Sequence, residues 1–400
     1  MRFQQFTAPV MAKGLEDTVF YRYPRLVSLN EVGGAPAHLG MTPAAAHLSL
    51  AERRREWPLA MSASATHDTK RGEDSRARLN VLSEIPEQWE RRERRWSRMN
   101  RGLKRGRGKE IAPSGRDEYF IYQGLVGSWP IDWLTPGAAA DPSAEALERM
   151  KAYLVKALRE AKLRTSWLEP NEVYEQACLA FLEGILDRRR SRGFIEDISA
   201  FLREIAPFGM LNGLGQTVLK LTAPGIPDIY QGTELWDLSL VDPDNRRPVD
   251  FARRREMLSA IPEAWEELLD NWQDGRVKLR LLAGLLALRR DMPGLFAEGS
   301  YEPLGVSGRA ARHVFAFRRR QGRRVMIVAL GRFFARLAGR SKDLPIGATW
   351  ASTHLLLPPN ADAFYCDALT GQRIASARGR LAVDRLFGRL PVAVLTNEPR

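Results

Sequence analysis

The spacing of apolar residues changes along this 400-residue chain, and this change limits its fold more than any other feature. Between residues 84 and 205 apolar side chains recur every three or four positions, as on one face of an α-helix. After Pro293 the period shifts to two, which is typical of strands in an antiparallel sheet. Because the length also favours two or three domains, separate helical and sheet segments are predicted.

These patterns divide the chain into four predicted segments. Residues 1–83 and 206–292 combine apolar-to-small runs with short helical patterns, as expected of α/β structure. Residues 84–205 form a predicted helical insertion between them. Residues 293–400 are predicted to fold as a C-terminal antiparallel β-sandwich.

Three short runs are predicted to form strands of the α/β part. Residues 3–11 (FQQFTAPVM) and 59–66 (LAMSASAT) end in polar clusters, like buried parallel strands that lead into functional loops. Residues 226–232 (IPDIYQG) follow a Pro-Gly turn and predict another short strand. Ser143 is predicted to cap the first turn of a helix in the insertion.

Composition argues against several classes of protein. No run approaches the roughly 18 apolar residues that span a membrane, and residues 1–14 lack the pattern of a signal peptide. Cys178 and Cys366 are the only cysteines, which excludes a disulfide framework or a zinc motif. The five histidines are scattered, so no metal site is predicted. A cytoplasmic protein without membrane attachment is expected.

The net charge of +13 raises the question of a nucleic-acid partner. Much of the excess lies in residues 91–109, which hold ten Lys or Arg against one Glu. The favoured interpretation is a solvated arginine-rich helix and loop, because no nucleic-acid-binding module is recognisable there. Binding to nucleic acid or to an anionic surface is the alternative.

The stretch ATHDTKRGEDSRARLN, residues 65–80, has the densest mixture of charges. It follows the predicted strand 59–66, and α/β barrels place their chemistry at the carboxyl ends of strands. An Asp that accepts hydrogen bonds, beside His and Arg donors, suits recognition of neighbouring sugar hydroxyls. Taken alone, a His-Asp pair is more often a surface loop or a helix cap.

Five motifs occur in order along residues 6–251: FTAPVMAKGLEDTVFYRY (6–23), LVSLNEVGG (26–34), ATHDTKRGEDSRARLNVLSEIPEQW (65–89), DEYFIYQGLVGSWP (117–130) and TAPGIPDIYQGTELWDLSLVDPDNRRPVDF (222–251). Together they resemble the malto-oligosyltrehalose synthase family, whose members are intramolecular glucosylmutases of the α-amylase type (glycoside hydrolase family 13). The "HD" and PGIPDIYQG elements alone are shared with α-amylases at large, whereas the combination of all five motifs is specific.

The resemblance implies the C-terminal part of a (β/α)₈ barrel, with 3–11, 59–66 and 226–232 near strands six, seven and eight. It implies that Asp68, with His67 beside it, binds the hydroxyls of the reacting sugar in a retaining mechanism. The substrate would be a malto-oligosaccharide whose reducing-end α-1,4 bond becomes an α,α-1,1 bond, in trehalose biosynthesis. No cofactor and no metal is implied.

The same resemblance leaves the nucleophile and the acid/base of the family unmatched. A three-strand part of a barrel cannot close and leaves strand edges unpaired. The chain alone is therefore expected to be inactive, and an N-terminal half is a candidate partner besides the malto-oligosaccharide. No membrane partner and no nucleic acid is expected.

Further substrate-binding candidates come from the matched motifs. For each of them an ordinary role stays open: surface charge, a core aromatic, or an ion pair. Trp129 and Trp133 either stack on sugar rings or belong to the core. The candidates are Lys70, Arg71, Lys13, Glu16, Asp17, Tyr230 and Arg246.

Three alternatives stay open. The chain could carry its own carboxylate pair among Glu16, Asp17 and Glu31, which would need carboxyl groups about 5 to 5.5 Å apart. It could be an α-glucan hydrolase of the same family. It could also be a glucan-binding remnant without catalysis.

Overall fold

The computed structural model describes residues 2–134, 144–339, 341, 343–359 and 361–397, so the predicted cap Ser143 lies outside the described residues. The chain forms two compact units, each assembled from separated stretches of sequence. The first unit comprises Met1–Leu39, His67–Gly209 and Asp237–Arg247, and the second comprises Gly40–Thr66, Met210–Trp236 and Pro248–Arg400.

No helix among the described residues has the length and apolarity to cross a membrane.

The first unit is helical. Its longest helices fall in the stretch that the sequence predicts to be helical, and side-chain caps begin two of them. The hydroxyl of Ser114 accepts from the amide of Asp117 and the Asn171 side chain accepts from the amide of Tyr174. Its elements are α1 (Arg2–Pro9), a π-helix (Val10–Val19), α2 (Phe20–Arg22), α4 (Glu73–Asn80), α5 (Pro86–Asn100), α6 (Gly115–Ser128), α7 (Ala144–Ala161), α8 (Glu172–Leu186) and α9 (Arg188–Thr222), which continues into the second unit.

An aromatic cluster holds these helices together. Trp96 of α5 is fully buried and contacts the rings of Tyr122, Phe194 and Phe201 at centroid distances of 5.5, 5.6 and 5.8 Å. Its indole nitrogen donates to the carboxylate of Asp197 over 2.7 Å, so the buried N–H is satisfied. The cluster therefore joins α5, α6 and α9.

The second unit contains three sheets and the remaining helices. The strands among its described residues are β1 (Met61–Ser62), β2 (Ile226–Pro227), β3 (Glu302–Pro303), β4 (Gly305–Ser307), β5 (Val314–Gln321), β6 (Arg324–Gly331), β7 (His354–Leu356), β8 (Phe364–Asp367), β9 (Arg373–Ala375), β10 (Arg380–Ala382) and β11 (Val392–Thr396). A six-stranded antiparallel sheet has the order β3-β5-β6-β11-β8-β9, a three-stranded antiparallel sheet has the order β10-β7-β4, and β1 pairs with β2 in parallel. The helices are α3 (Pro43–Glu56), α10 (Phe251–Ser259), α11 (Trp265–Asp270), α12 (Arg276–Asp291), α13 (Pro293–Glu298), α14 (Phe334–Ala338) and α15 (Val383–Leu386).

The C-terminal part is antiparallel, as its period of two predicts. The hairpin β5–β6 and strand β11 supply the centre of the large sheet, and every residue of β11 is buried. Strand β7 is short, because a 3₁₀ turn occupies Gly347–Trp350 just before it. Short strands such as β3 and β9 carry too few residues to show a period.

The strand predicted at residues 3–11 is wrong. This stretch forms α1 and the start of the π-helix, with Phe3 and Phe6 mostly exposed. No strand among the described residues pairs with it, so its amide groups bond within a helix instead. A short apolar run is equally compatible with either structure.

The other two predicted strands are confirmed for only two residues each. Met61 lies opposite Ile226 and Ser62 opposite Pro227 in a parallel pair. The amide of Ile226 donates to the carbonyl of Ala60 over 3.0 Å. The runs 59–66 and 226–232 are therefore neighbouring parallel strands of two residues each.

Replacing Gly308 with alanine should destabilise the second unit strongly. Its φ is +104°, and a Cβ there would lie 1.9 Å from the carbonyl oxygen of Ser352. We expect Gly308→Ala to lower the free energy of unfolding by about 3 kcal/mol. Gly322 is the matched control, because its φ is +58° but nothing lies within 4 Å of an added Cβ. Gly322→Ala should cost about 1 kcal/mol in urea titrations, and equal losses for the two variants would contradict the steric argument.

Candidate functional site

The charged stretch 65–80 folds as a loop that leads into α4. Glu73 and Asp74 occupy the first turn of this helix, where carboxylates interact favourably with the helix dipole. His67 and Asp68 are exposed, whereas Lys70 and Arg71 are each 2% exposed. The loop therefore presents His67 and Asp68 to solvent and buries the two cations that follow.

The side chain of Glu31 holds the backbone of this loop. Its carboxylate accepts from the amide of Lys70 over 2.8 and 3.1 Å and from that of Arg71 over 3.4 Å. It also accepts from the amide of Val32 over 2.8 Å and lies 3.5 Å from the Arg76 guanidinium. Because both oxygens are engaged by buried donors, Glu31 is suited to fixing the loop and not to attacking a sugar.

Two lysine and two aspartate side chains meet next to the loop that Glu31 holds. The Lys70 ammonium lies 3.0 Å from Oδ1 of Asp17 and 3.4 Å from Oδ1 of Asp68. The second oxygen of Asp17 lies 2.6 Å from Nζ of Lys13. The side chain of Asp68 keeps 52% of its surface exposed, against 22% for Asp17. We call Lys13, Asp17, Asp68 and Lys70 the Lys70 cluster.

Burial and pairing act in opposite directions on the ionisation of this cluster. For Asp17, burial disfavours the charge, but hydrogen bonds from Lys13 and Lys70 outweigh it and lower its pKa below the ordinary value. For Lys70, burial likewise disfavours the charge, and hydrogen bonds and attraction from Asp17 and Asp68 raise its pKa. The hydrogen bond to Asp17 also raises the pKa of Lys13. Asp17 and both lysines are thus charged at neutral pH.

Arg71 is turned away from the cluster. Its guanidinium donates to the carbonyl of Val27 over 3.1 Å and to the hydroxyl of Tyr153 over 2.6 Å. It also lies over the rings of Phe120 and Tyr153, at 5.7 and 5.9 Å from their centres. These contacts favour a structural role for Arg71 between the loop and the helices.

The segment Asp237–Arg247 borders the same loop. The side-chain amide of Asn245 donates to the carbonyl of His67 over 3.0 Å, and the backbone amide of Gly72 donates to the carbonyl of Ser239 over 2.8 Å. Arg246 forms an ion pair with Asp242 and leaves 55% of its side chain exposed. The structure thus places Arg246 one residue from a direct contact with His67, in an ion pair on the surface.

Asp244 fixes this segment to α7. Its two carboxylate oxygens accept hydrogen bonds from Nε and from a terminal nitrogen of Arg149 over 2.6 and 2.8 Å. One of these oxygens also accepts from the backbone amide of Leu240 over 2.7 Å. Burial opposes its charge, but these donors prevail and lower its pKa.

The other predicted residues are less closely associated with the cluster. Glu16 accepts from the amide of Gly33 over 3.1 Å. Tyr230 belongs to the second unit, where its carbonyl accepts from the amide and hydroxyl of Thr233 over 3.1 and 2.7 Å. Trp129 is 1% exposed, and its ring centre lies 5.1 Å from that of Trp133. This burial favours a core role for Trp129.

Part of the charge in residues 91–109 is neutralised within the first unit. Arg92 pairs with Asp197 over 2.7 Å, and Lys104 pairs with the buried Glu118 over 2.5 Å. The exposed arginines of α5 remain on a helix surface, as the favoured sequence interpretation expects.

No group of three or more His, Cys, Asp or Glu side chains in the described part of the chain is arranged to hold a metal ion.

The sequence-based prediction missed the contacts that Glu31 makes with the loop, because it considered this residue only as one of a possible catalytic pair. A glutamate followed by two glycines in LNEVGG, where Gly33 has a φ of +74°, was the available signal for a buried turn.

The chain is similar over its whole length to malto-oligosyltrehalose synthases. It is 38% identical over 398 residues to a Mycobacterium tuberculosis protein described as "Putative maltooligosyl trehalose synthase", and the match covers 100% of this chain and 45% of that protein. The chain therefore spans less than half the length of this relative. No protein-family model matches it.

Solved structures agree with this similarity. The maltooligosyltrehalose synthase of Arthrobacter ramosus is 37% identical with a TM-score of 0.78, and the match covers 98% of this chain and 46% of that one. A hypothetical maltooligosyl trehalose synthase of Sulfolobus tokodaii is 30% identical with a TM-score of 0.74, over 99% of this chain and 46% of that one. The mixed helix and sheet architecture is thus shared with known enzyme structures.

Removing the charge of Glu31 should release the loop that it holds. In Glu31→Gln an amide N–H₂ replaces one accepting oxygen and faces backbone donors, at a cost of about 1–3 kcal/mol. We expect faster hydrogen exchange at the amides of Lys70 and Arg71, measured by mass spectrometry or NMR. Glu16→Gln is the control, because Glu16 accepts one peripheral amide. Unchanged exchange in Glu31→Gln would contradict the assigned role.

The depressed pKa of Asp17 predicts a pH-dependent loss of stability. A carboxylate whose pKa is lower in the folded state stabilises the fold above its unfolded pKa of about 3.9, and this contribution disappears as pH falls through the folded value. The difference in melting temperature between the unsubstituted protein and Asp17→Asn should be constant above about pH 5.5 and should shrink below pH 4. Exposed Asp132, as Asp132→Asn, serves as the control; a difference for Asp17→Asn that persists to pH 2.5 would refute the ion-pair assignment.

Proposed function

We propose that this chain supplies the hydroxyl-binding side of a malto-oligosyltrehalose synthase active site. The observation that carries the proposal is Asp68, whose exposed carboxylate is held by buried Lys70 in a loop fixed by Glu31. Similarity to such synthases along the whole chain supports the same assignment.

The charge of the Lys70 cluster suits an uncharged substrate rich in hydroxyl groups. Two ammonium groups and two carboxylates give a neutral but strongly polar surface, which offers both donors and acceptors. In this proposal Asp68 accepts hydrogen bonds from neighbouring hydroxyls of the reacting glucose. Lys70 and Asp17 orient Asp68, and Lys13 and His67 donate to other hydroxyls.

The proposed reaction is an intramolecular transfer. The α-1,4 bond at the reducing end of a malto-oligosaccharide breaks, the rest of the chain becomes a glycosyl-enzyme, and the freed glucose oxygen takes a proton from the acid/base. The freed glucose then turns, its anomeric hydroxyl returns a proton to that base, and its oxygen attacks the glycosyl-enzyme. An α,α-1,1 linkage forms and the reducing end is lost. Water must be excluded from the site, since it would hydrolyse the intermediate.

The acid/base and the nucleophile are proposed to come from residues outside this chain. An acid/base needs a raised pKa, whereas hydrogen bonds from Lys13 and Lys70 outweigh burial and lower that of Asp17. The oxygens of Glu31 are engaged by backbone donors. These observations weigh against a complete catalytic pair among Glu16, Asp17 and Glu31.

We propose that an N-terminal barrel half covers exposed apolar side chains in each unit. In the first unit Phe3 and Phe6 of α1 are 77% and 70% exposed. In the second unit Met61 and Ile226 of the parallel pair are 68% and 45% exposed, and each strand has one neighbour within the described part of the chain. Such surfaces are typical of an interface. The parallel strands β1 and β2 would then belong to a (β/α)₈ barrel in a cytoplasmic enzyme, with 84–205 as its helical insertion and 293–400 as a C-terminal sandwich.

Co-expression with the N-terminal part of the Arthrobacter ramosus enzyme tests the proposal. The mixture should convert maltohexaose into a product of the same length that lacks a reducing end, while each part alone should not. Release of glucose or of shorter reducing sugars would instead favour an α-glucan hydrolase. Retention on amylose without any conversion would favour a glucan-binding remnant.

Asp68→Asn should abolish conversion in that reconstituted enzyme. Loss of the charge that binds the sugar hydroxyls should lower kcat by at least about 100-fold, because these bonds strengthen in the transition state. The melting temperature should change little, because Asp68 is half exposed. Asp132→Asn is a control on the surface, and near-normal activity of Asp68→Asn would remove Asp68 from its proposed role.

A further inference from the structure

Trp167 is a large aromatic residue that the helical unit leaves in solvent. It lies in the turn between α7 and α8, with 51% of its surface exposed. The Trp89, Trp96 and Trp129 side chains of the same unit are at least 93% buried. An exposed tryptophan in an otherwise well-packed unit is a candidate for contact with a ligand.

The indole of Trp167 is held in place despite this exposure. Its ring nitrogen donates to Glu160 over 3.0 Å, and the guanidinium of Arg159 lies 5.0 Å from the ring centre. Arg159 is itself fixed by two hydrogen bonds of 2.8 and 2.7 Å to Glu175, which is 4% exposed. A pre-positioned ring loses little conformational entropy when a ligand stacks on it.

The turn itself is also tied down. The hydroxyl of Thr165 donates to Glu175 over 2.5 Å and accepts from the amide of Asn171 over 2.9 Å. The amide of Ser166 donates to the carbonyl of Glu169 over 3.2 Å. Trp167 is therefore presented by a short, internally bonded turn.

This turn adjoins the segment that carries Lys13 and Asp17. Arg22 donates to the carbonyl of Ala161 over 2.6 Å, and the ammonium of Lys162 donates to the hydroxyl of Thr18 over 3.1 Å. The hydrogen bond to Asp17 is the main cause of the raised pKa of Lys13, and the charge of Glu160 adds to it. The Trp167 turn is thus a neighbour of the Lys70 cluster within one unit.

We propose that Trp167, with Glu160 and Arg159, forms an outer subsite that stacks one glucose unit of an α-glucan chain. The unit bound there is separate from the one whose hydroxyls contact Asp68, and the inference rests on the function proposed above. The C–H face of a glucopyranose is apolar and suits the indole face, while its hydroxyl edge suits a carboxylate and a guanidinium. Such a subsite would make affinity depend on the length of the glucan.

Calorimetric titration of the full chain with maltotriose and with maltoheptaose tests the subsite. Trp167→Ala should weaken binding of maltoheptaose by about 5- to 10-fold, the effect expected of one lost aromatic contact. Maltotriose should bind within about twofold of the unsubstituted chain, because it fills the inner positions first. Trp167→Phe keeps an aromatic face and should retain most of the affinity for maltoheptaose. Leu168→Ala, at a neighbouring residue that is 95% exposed, is the matched control and should bind as the unsubstituted chain does.

The outcomes separate this inference from the function on which it rests. If the unsubstituted chain binds maltoheptaose and Trp167→Ala binds it equally well, the subsite is refuted and the proposed function stands. If the unsubstituted chain binds neither sugar, the outer subsite on this chain is refuted, whereas the proposed function is decided by the reconstitution experiment. If Trp167→Ala weakens both sugars equally, Trp167 belongs to the inner site and the outer subsite is refuted. Thermal unfolding of each variant confirms that the fold is kept.

Discussion

The buried ammonium of Lys70 is the group on which the candidate site depends. With 2% of its side chain exposed, it has lost most of its hydration and needs negative partners close by. Asp68 provides one from the same loop and Asp17 provides the other from the π-helix, while the amide of Lys70 donates to the side chain of Glu31. Lys70 therefore ties together the π-helix, the loop and the turn at Glu31, and its ammonium lies 3.4 Å from the carboxylate of Asp68.

Charged residues that the sequence shows only as one dense stretch have different roles in the structure. Lys70 and Arg71 carry the same charge and are equally buried, but they have different partners. Arg71 packs on Phe120 and Tyr153, whereas Lys70 faces the two carboxylates. Asp244 secures the neighbouring segment to α7 through Arg149, which keeps the backbone next to His67 in place. Most of the charge around the site thus maintains its geometry, and Asp68 is left with 52% of its side chain exposed.

Sequence reasoning predicted the elements whose side-chain period is long enough to read. The helices of residues 84–205 and the hairpin β5–β6 are such elements. It failed at residues 3–11, because a strand needs a pairing neighbour and the apolar run alone does not show one. At the site it predicted the charged loop and proposed Asp68, whose role stays a prediction. It could not predict that Glu31 binds the amides of Lys70 and Arg71, since these two separated segments of the sequence meet only in the folded chain.

A crystal structure of the chain soaked with maltopentaose tests the central claim most directly. The account predicts a glucose unit whose neighbouring hydroxyls lie within about 3 Å of the Asp68 carboxylate, with Lys70 still bridging Asp68 and Asp17. If sugar binds elsewhere and none is found at an intact Lys70 cluster, the claim that this loop is the hydroxyl-binding side of a glucan site is contradicted.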